Sequence, residues 1–358
     1  MALHTSLTYL NTAGCGLVSE AALQAGSDLY KNFSTNSSAA AETWREKTSH
    51  HIRKTLANFI HAPESNIALI PNFSFGINGI VQSLQGNEKV MLYKRDYPSL
   101  IAPFLSNNFS IEWIDDEDGF ILSLEKIENL LRNFHIDIVA ISHVQWLTGF
   151  KIDLKKIQTV CKKYNATLIV DATQSLGAAN INIQEQPVDA LIASNYKWMN
   201  AGFGSGILYM SNNFLNTYPP KLSGHNNVTY LNGSWIHAAS IQGFEPGHLN
   251  MHGFSILEKA IEEKNKIGLE NIEQHNKQLT QYVLDEIKNY PVQLMGESST
   301  ENRSSIIFLK DENGLSEWLK QHNIIVTPRN GDIRISFHYY NTKADADALL
   351  HCLSAWRK

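Results

Sequence analysis

Cysteine is scarce in this chain: three in 358 residues, Cys15, Cys161 and Cys352, each far from the others. Such spacing gives neither a disulfide framework nor a cysteine metal site, and it fits a reducing compartment. Charge is sparse as well, with 18% Asp, Glu, Lys and Arg and a formal net charge of -5. No long basic run occurs, which argues against nucleic acid as a main partner. No uninterrupted apolar run approaches membrane-spanning length, so no membrane partner is expected. Met1 to Leu10 lacks a charged start and an apolar core, so no secretory signal is read there and a cytoplasmic protein is expected. What remains is an ordinary globular composition, 43% hydrophobic. The chain is long enough for one large domain and a smaller one.

Apolar, β-rich runs alternate with helix-sized segments. Strands are expected at 67–71, 89–93, 111–114, 136–142, 167–170, 189–193 and 205–210. Helices are expected from Glu20, with Ser19 as cap, and at about 43–60, 77–85 and 153–164. This alternation is the α/β pattern of a largely parallel sheet wrapped by helices. Residues 222–243 read as a long irregular loop near the site. A single long helix at about 255–289 leads into a smaller α+β part. That part has segments at 304–309, 315–321 and 324–327, a strand around Arg334 and a closing helix.

Two residues dominate the chemistry. Lys197 ends the turn Ser194-Asn195-Tyr196-Lys197-Trp198 between two apolar runs, with Gly202-Phe203-Gly204-Ser205-Gly206 behind it. A lone lysine of this kind is usually a surface residue. Held between buried strands, it loses proton affinity and becomes a nucleophile for carbonyl groups. Asp171 ends the run Leu168-Ile169-Val170 at the carboxyl end of a strand, where open α/β sheets bind ligands; alone it could equally cap a helix. A pyridoxal cofactor needs both a lysine for its aldehyde and a carboxylate for its ring nitrogen. Asn72-Phe73-Ser74-Phe75-Gly76 is a small polar turn opening a helix, hence a candidate anion site. Arg334, on a strand, is a natural bidentate grip for a carboxylate, or a structural ion pair.

Val170-Asp171-Ala172-Thr173-Gln174, Val188-Asp189 and Ser194-Asn195-Tyr196-Lys197-Trp198 together resemble the class V aminotransferase family of pyridoxal phosphate (PLP) enzymes. That family also holds cysteine desulfurases, selenocysteine lyases, kynureninases and isopenicillin N epimerase. The resemblance implies a seven-stranded large domain over 20–254 and a small domain from 1–19 and 255–358. It also implies a homodimer with a shared site and a small amino acid as substrate. By the same resemblance Lys197 carries PLP as an aldimine and serves as base, and Asp171 holds the ring nitrogen. Tyr97 stacks on the ring, where desulfurases place histidine, and Gln174 bonds the ring hydroxyl. Ser74, the Phe75 amide, Ser194 and Tyr196 hold the phosphate. His248 of the partner subunit joins them, in place of a glycine–threonine pair.

Arg334 takes the substrate carboxylate, with Arg329 as a second candidate. Ala13 and Gly14 line the substrate pocket or simply form a tight turn. Trp146 stands where relatives often have asparagine, and His143 is either a base or structural. The turn at 326–331 is short and has no cysteine, unlike the cysteine-bearing loop of desulfurases. Transamination is therefore the leading expectation. A cysteine-independent C–S lyase is the alternative, and a non-catalytic binding protein on the same fold is the third reading.

Overall fold

A computed structural model describes residues 7–237 and 239–356; most of the stretch read for a secretory signal lies outside the described residues. The chain enters through β1 (Thr8–Tyr9) and turns into α1 (Glu20–Thr43). Ser19 caps that helix, its Oγ accepting the Ala22 N–H at 3.1 Å. One π-helical turn at Trp44–Thr48 passes α1 into α2 (Ser49–Phe59). The helix expected at 43–60 is thus the end of a longer helical run.

Next come β2 (Ile67–Ile70), α3 (Phe73–Ser83), β3 (Lys89–Tyr93), α4 (Pro98–Ser106), β4 (Ser110–Ile114) and α5 (Leu124–Phe134). They are followed by β5 (Ile138–Ser142), α6 (Leu154–Lys163), β6 (Thr167–Asp171), β7 (Ala190–Ser194) and β8 (Gly206–Met210). These strands make one seven-stranded sheet in the order β2-β8-β7-β6-β5-β3-β4. All pairs are parallel except those of β8, which runs antiparallel to both β2 and β7. The fold is therefore α/β with a largely parallel sheet. Strands β2, β5, β7 and β8 are buried along their whole length, which is why they read as continuous apolar runs rather than alternating ones. Alternate residues feed two cores, with Leu168 and Val170 on one face of β6 and Ile169 on the other.

After α7 (Asn212–Thr217), the segment expected to be irregular contains a hairpin, β9 (Val228–Leu231) and β10 (Ser234–His237). Its two-residue turn is Asn232-Gly233, both at positive φ (51° and 84°), as a type I′ turn requires. The single helix expected at 255–289 is two, α8 (Met251–Ile267) and α9 (Leu269–Ile287). Gly268 separates them at φ 87°, a conformation that stops a helix and suits glycine. Phe254, Leu257 and Ile261 of α8 pack into one of the main-sheet cores.

Val283, Leu284 and Ile287 of α9 belong to a further core. Around it lie β11 (Ile306–Lys310), α10 (Leu315–Gln321), β12 (Ile324–Ile325), β13 (Thr327–Arg329), β14 (Asp332–Ser336) and α11 (Lys343–Ala355). β14 is the middle strand of an antiparallel sheet, β11-β14-β13. β1 pairs parallel with β12, and Asn11 bridges Ser336. The two ends of the chain are thereby joined beside the carboxyl edge of the large sheet. No helix among the described residues is long and apolar enough to cross a membrane.

Candidate active site

β6 and β7 lie side by side in parallel, with Asp171 in register with Ile192. Asp171 therefore ends its strand beside the turn that carries Lys197, and both line a cavity of about 410 Å³. Both are almost fully buried, 5% and 6% exposed. Burial pushes the Asp171 carboxyl up to about 6, although the Thr173 N–H, donating to Oδ1 at 2.8 Å, pulls the other way. Burial likewise pushes Lys197 down to about 7, helped by the positive charge of Arg334. A lysine in that state is largely a free amine under mildly basic conditions and a competent carbonyl nucleophile. Its Nζ lies 5.5 Å from the ring centroids of both Tyr97 and Tyr196.

The Lys197 turn is held tightly. Gly16 N–H donates to Tyr196 O at 2.8 Å. A β-carbon on Gly16 would come within 1.9 Å of Lys197 O, so only glycine fits there. The need for a bare backbone at this point has no local signal in the sequence. Asp96 is a second buried residue that sequence reasoning missed. Its carboxylate accepts Tyr97 N–H at 2.7 Å, Ser142 N–H at 2.9 Å and Ser142 Oγ–H at 2.5 Å. It thus fixes the Tyr97 turn to the end of β5, next to Asp171.

At the start of α3, Asn72 is the cap. Its Oδ1 accepts the Phe75 N–H at 2.9 Å, while the Phe73 N–H donates to Ser194 Oγ at 2.9 Å. The Phe75 amide, expected to face an anion, is thus occupied by the cap. Ser194 lines the cavity with its hydroxyl already accepting one bond. Ser74 also lines the cavity, and its hydroxyl makes no hydrogen bond among the described residues.

Gln174 lines the cavity too, yet its amide is engaged at both ends. Nε2 donates to Ala13 O at 3.1 Å, and Oε1 accepts Trp198 Nε1–H at 2.7 Å. Ala13 itself is fully buried, packed with Val144, Trp198 and Ile306, and it does not line the cavity. Gly14 is half-buried, its N–H closing a turn onto Asn11 O at 2.9 Å. Tyr196 stacks on Phe203, 4.7 Å between centroids, and Phe203 is 68% exposed at the mouth.

Arg334, on β14, is 2% exposed. Its Nη1 donates to Trp146 O at 2.6 Å, while its buried Nε–H has no partner among the described residues. A buried, unmatched guanidinium N–H is costly; Arg334 sits behind Trp146 and is not itself among the residues that line the cavity. Trp146 sets its ring edge-on to Tyr97, 5.5 Å between centroids, and lines the cavity. Arg329 is exposed, though its charge helps to lower Lys197. His248 is exposed and outside this cavity. His143 lines a separate cavity of about 510 Å³ behind Gln174, where burial drives its imidazole down to about 3.

The cysteines are equally clear. Cys161 and Cys352 are buried in different cores. Cys15 is half-buried; burial raises its thiol, while the neighbouring Lys197 charge lowers it. β13 and β14 pair with Arg329 opposite Asp332, so only Asn330 and Gly331 connect them, both at positive φ (53° and 82°).

The family model for aminotransferase class V matches residues 8–349. A probable cysteine desulfurase of Pyrococcus abyssi is 22% identical over 98% of this chain and 94% of its own. One from Borreliella burgdorferi is 26% identical over 95% and 89%. Among solved structures, the cystine C–S lyase C-DES in complex with its reaction product cysteine persulfide superposes with a TM-score of 0.89. The identity is 21%, covering 99% of each chain. A variant of C-DES carries glycine covalently linked to its PLP cofactor. With a match that spans nearly the whole sequence, this chain belongs to the class V aminotransferase family.

Proposed function

We propose that this protein is a PLP-dependent C–S lyase that cleaves cysteine- or cystine-like amino acids by β-elimination, without a cysteine nucleophile of its own. The observation that separates it from a desulfurase with its own sulfur-accepting cysteine is the two-residue turn Asn330-Gly331 before β14. It leaves no loop on which a sulfur-accepting cysteine could reach the cavity. The likeness to desulfurases and to a cystine C–S lyase supports lyase chemistry over the transamination expected from the sequence.

The residues present fit the cofactor. A carboxylate and a depressed lysine share one cavity, a flat tyrosine face adjoins them, and Ser74 opens a helix N-terminus on the cavity wall. Asp171 would hold a proton at the ring nitrogen, Lys197 the aldehyde carbon, Tyr97 the ring face, and Ser74, Ser194 and Tyr196 the phosphate. PLP, when bound, supplies an electron sink conjugated to the substrate's α-carbon.

Arg334, whose Nη1 donates to Trp146 O beside the cavity, is the candidate grip for the substrate α-carboxylate. Lys197, once freed as a neutral amine, takes the α-proton. The Cβ–S bond then breaks and its electron pair leaves with sulfur. Cystine gives a persulfide in this way, and hydrolysis of the remainder gives pyruvate and ammonia. Buried Trp198 and Gln174 brace the floor of the cavity.

The test is to load the purified protein with PLP and supply cystine, cysteine, alanine and kynurenine in turn. Pyruvate with sulfide or persulfide from the sulfur amino acids supports the lyase. Keto acid release with conversion of the cofactor to its amine form would return the assignment to transamination. Lys197→Ala is expected to abolish both the visible absorbance of bound cofactor and all turnover.

A further inference from the structure

Lys264 is unexplained by the site as described. It lies on α8 with no exposed surface and makes no ion pair among the described residues. Buried lysines are rare unless paired. Its Nζ donates to Asn200 Oδ1 at 2.8 Å and sits 3.1 Å from His338 Nε2 and 4.4 Å from the Tyr339 ring centroid. Burial holds its ammonium well below the usual range.

The protons can be assigned from the neighbours. His338 Nε2 lies 2.9 Å from Trp198 O and 3.0 Å from Asn200 Oδ1, both acceptors. Nε2 therefore carries the proton, and Nδ1 accepts Asn276 Nδ2–H at 3.3 Å. Lys264 meets an N–H there, not a lone pair. One N–H of the lysine is turned to Asn200, and burial disfavours its charged form.

The two residues grip the backbone just after the reactive lysine. Asn200 is in the left-handed region at φ 59°, and its N–H donates to Lys197 O at 3.1 Å. Trp198 packs edge-on against the His338 ring at 5.1 Å. His338 lies two residues past the end of β14, the strand that carries Arg334. One short segment, 334–338, thus carries both the carboxylate grip and the clamp on the Lys197 turn.

Building on the lyase assignment, we propose that Lys264 and His338 are positioning residues that set the Lys197 amine relative to the Arg334 guanidinium. They hold the base where the α-proton of a carboxylate-anchored substrate will lie. Neither touches substrate. Misplacing a reacting group by about 1 Å can cost about 100-fold in rate, so the effect falls on proton transfer rather than on binding.

The test uses PLP-loaded enzyme and two readouts: cystine turnover, and exchange of alanine's α-proton in deuterated water. Alanine has no leaving group, so exchange reports the lysine step alone. Lys264→Met is expected to retain cofactor absorbance and KM while lowering kcat and exchange roughly 10- to 100-fold. Lys264→Gln, which keeps a donor and an acceptor, is expected to recover most of the rate. Unchanged exchange in Lys264→Met would overturn the proposal, and so would equal losses in the Met and Gln variants. Should Lys264→Met fail to fold, His338→Gln reads the same clamp, with the same loss expected and unchanged exchange again counting against it. A wild-type protein that exchanges alanine's proton yet releases no sulfur product would sink the lyase assignment and leave this test intact.

Discussion

Replacing Lys197 with methionine is expected to make the apoprotein more stable, by an amount that depends on pH. In the folded chain Lys197 titrates near 7; in the unfolded chain it returns to its ordinary 10.5. Between those values the unfolded state binds a proton that the folded state does not. The penalty is therefore fully present below pH about 7 and fades as pH rises toward 10.5. A displacement of this size is worth at most about 5 kcal/mol. Asp171 takes part of it back, because the variant deprives its carboxylate of a cationic neighbour. A net gain of roughly 2–4 kcal/mol at pH about 6 remains, shrinking by roughly 2–3 kcal/mol by pH about 9. Urea denaturation of wild-type and Lys197→Met apoprotein across that range measures it. A difference that is flat with pH, or a methionine variant less stable at pH about 6, would refute the reasoning that burial has lowered this lysine's proton affinity.

Other substitutions probe the rest of the site. Asp171→Asn is expected to keep the fold and lower lyase turnover by at least about 100-fold, read from pyruvate release at saturating cofactor. Arg334→Met removes the proposed carboxylate grip and a charge that depresses Lys197. Its KM for cystine is expected to rise roughly 10- to 100-fold, the worth of a charged hydrogen bond, and the pH at which apoprotein captures PLP is expected to move up. Cys15→Ser is expected to leave pyruvate and sulfide production unchanged; a loss of sulfur release alone would make Cys15 the sulfur acceptor. Gly16→Ala, whose new β-carbon would collide with Lys197 O, is expected to cost about 1–3 kcal/mol as a lower melting temperature with impaired cofactor binding.

The parts of this site that were legible in the sequence obey local rules. Asp171 and Lys197 could be read because each closes an apolar run at a strand end, and the parallel sheet brings those ends together. Arg334 stands out for a different reason, as a lone arginine between the apolar residues Ile333 and Ile335 of a strand. What could not be read depends on partners distant in sequence. Gln174 reads in the sequence as the contact to the ring hydroxyl, but its capture by Ala13 and Trp198 has no sequence signal. Phe75 seemed to offer a free amide because the cap belonged to a neighbour three positions earlier. Lys264 resembles any lysine on an amphipathic helix until the segment after β14 closes over it. Two signals were present and passed over. Asn232-Gly233 between apolar residues marks a hairpin, and Gly268 marks the break between α8 and α9.

The pairing of β1 with β12 has a kinetic side. Thr12 and Tyr340, in hydrogen-bond contact beside that pairing, are 328 positions apart. Likewise β2, which leads into the Ser74 turn, has only β8 as a strand neighbour. Contacts so remote along the chain carry a large loop-closure cost and form late. During synthesis, then, the β3-to-β7 part of the sheet can assemble first, while the segment carrying Gly16 waits for Ile324 and Ile325 to leave the ribosome. The mouth of the site is expected to be the final piece to fold. A chain released before β12 would present an assembled sheet whose Lys197 turn still lacks its backing from Gly16.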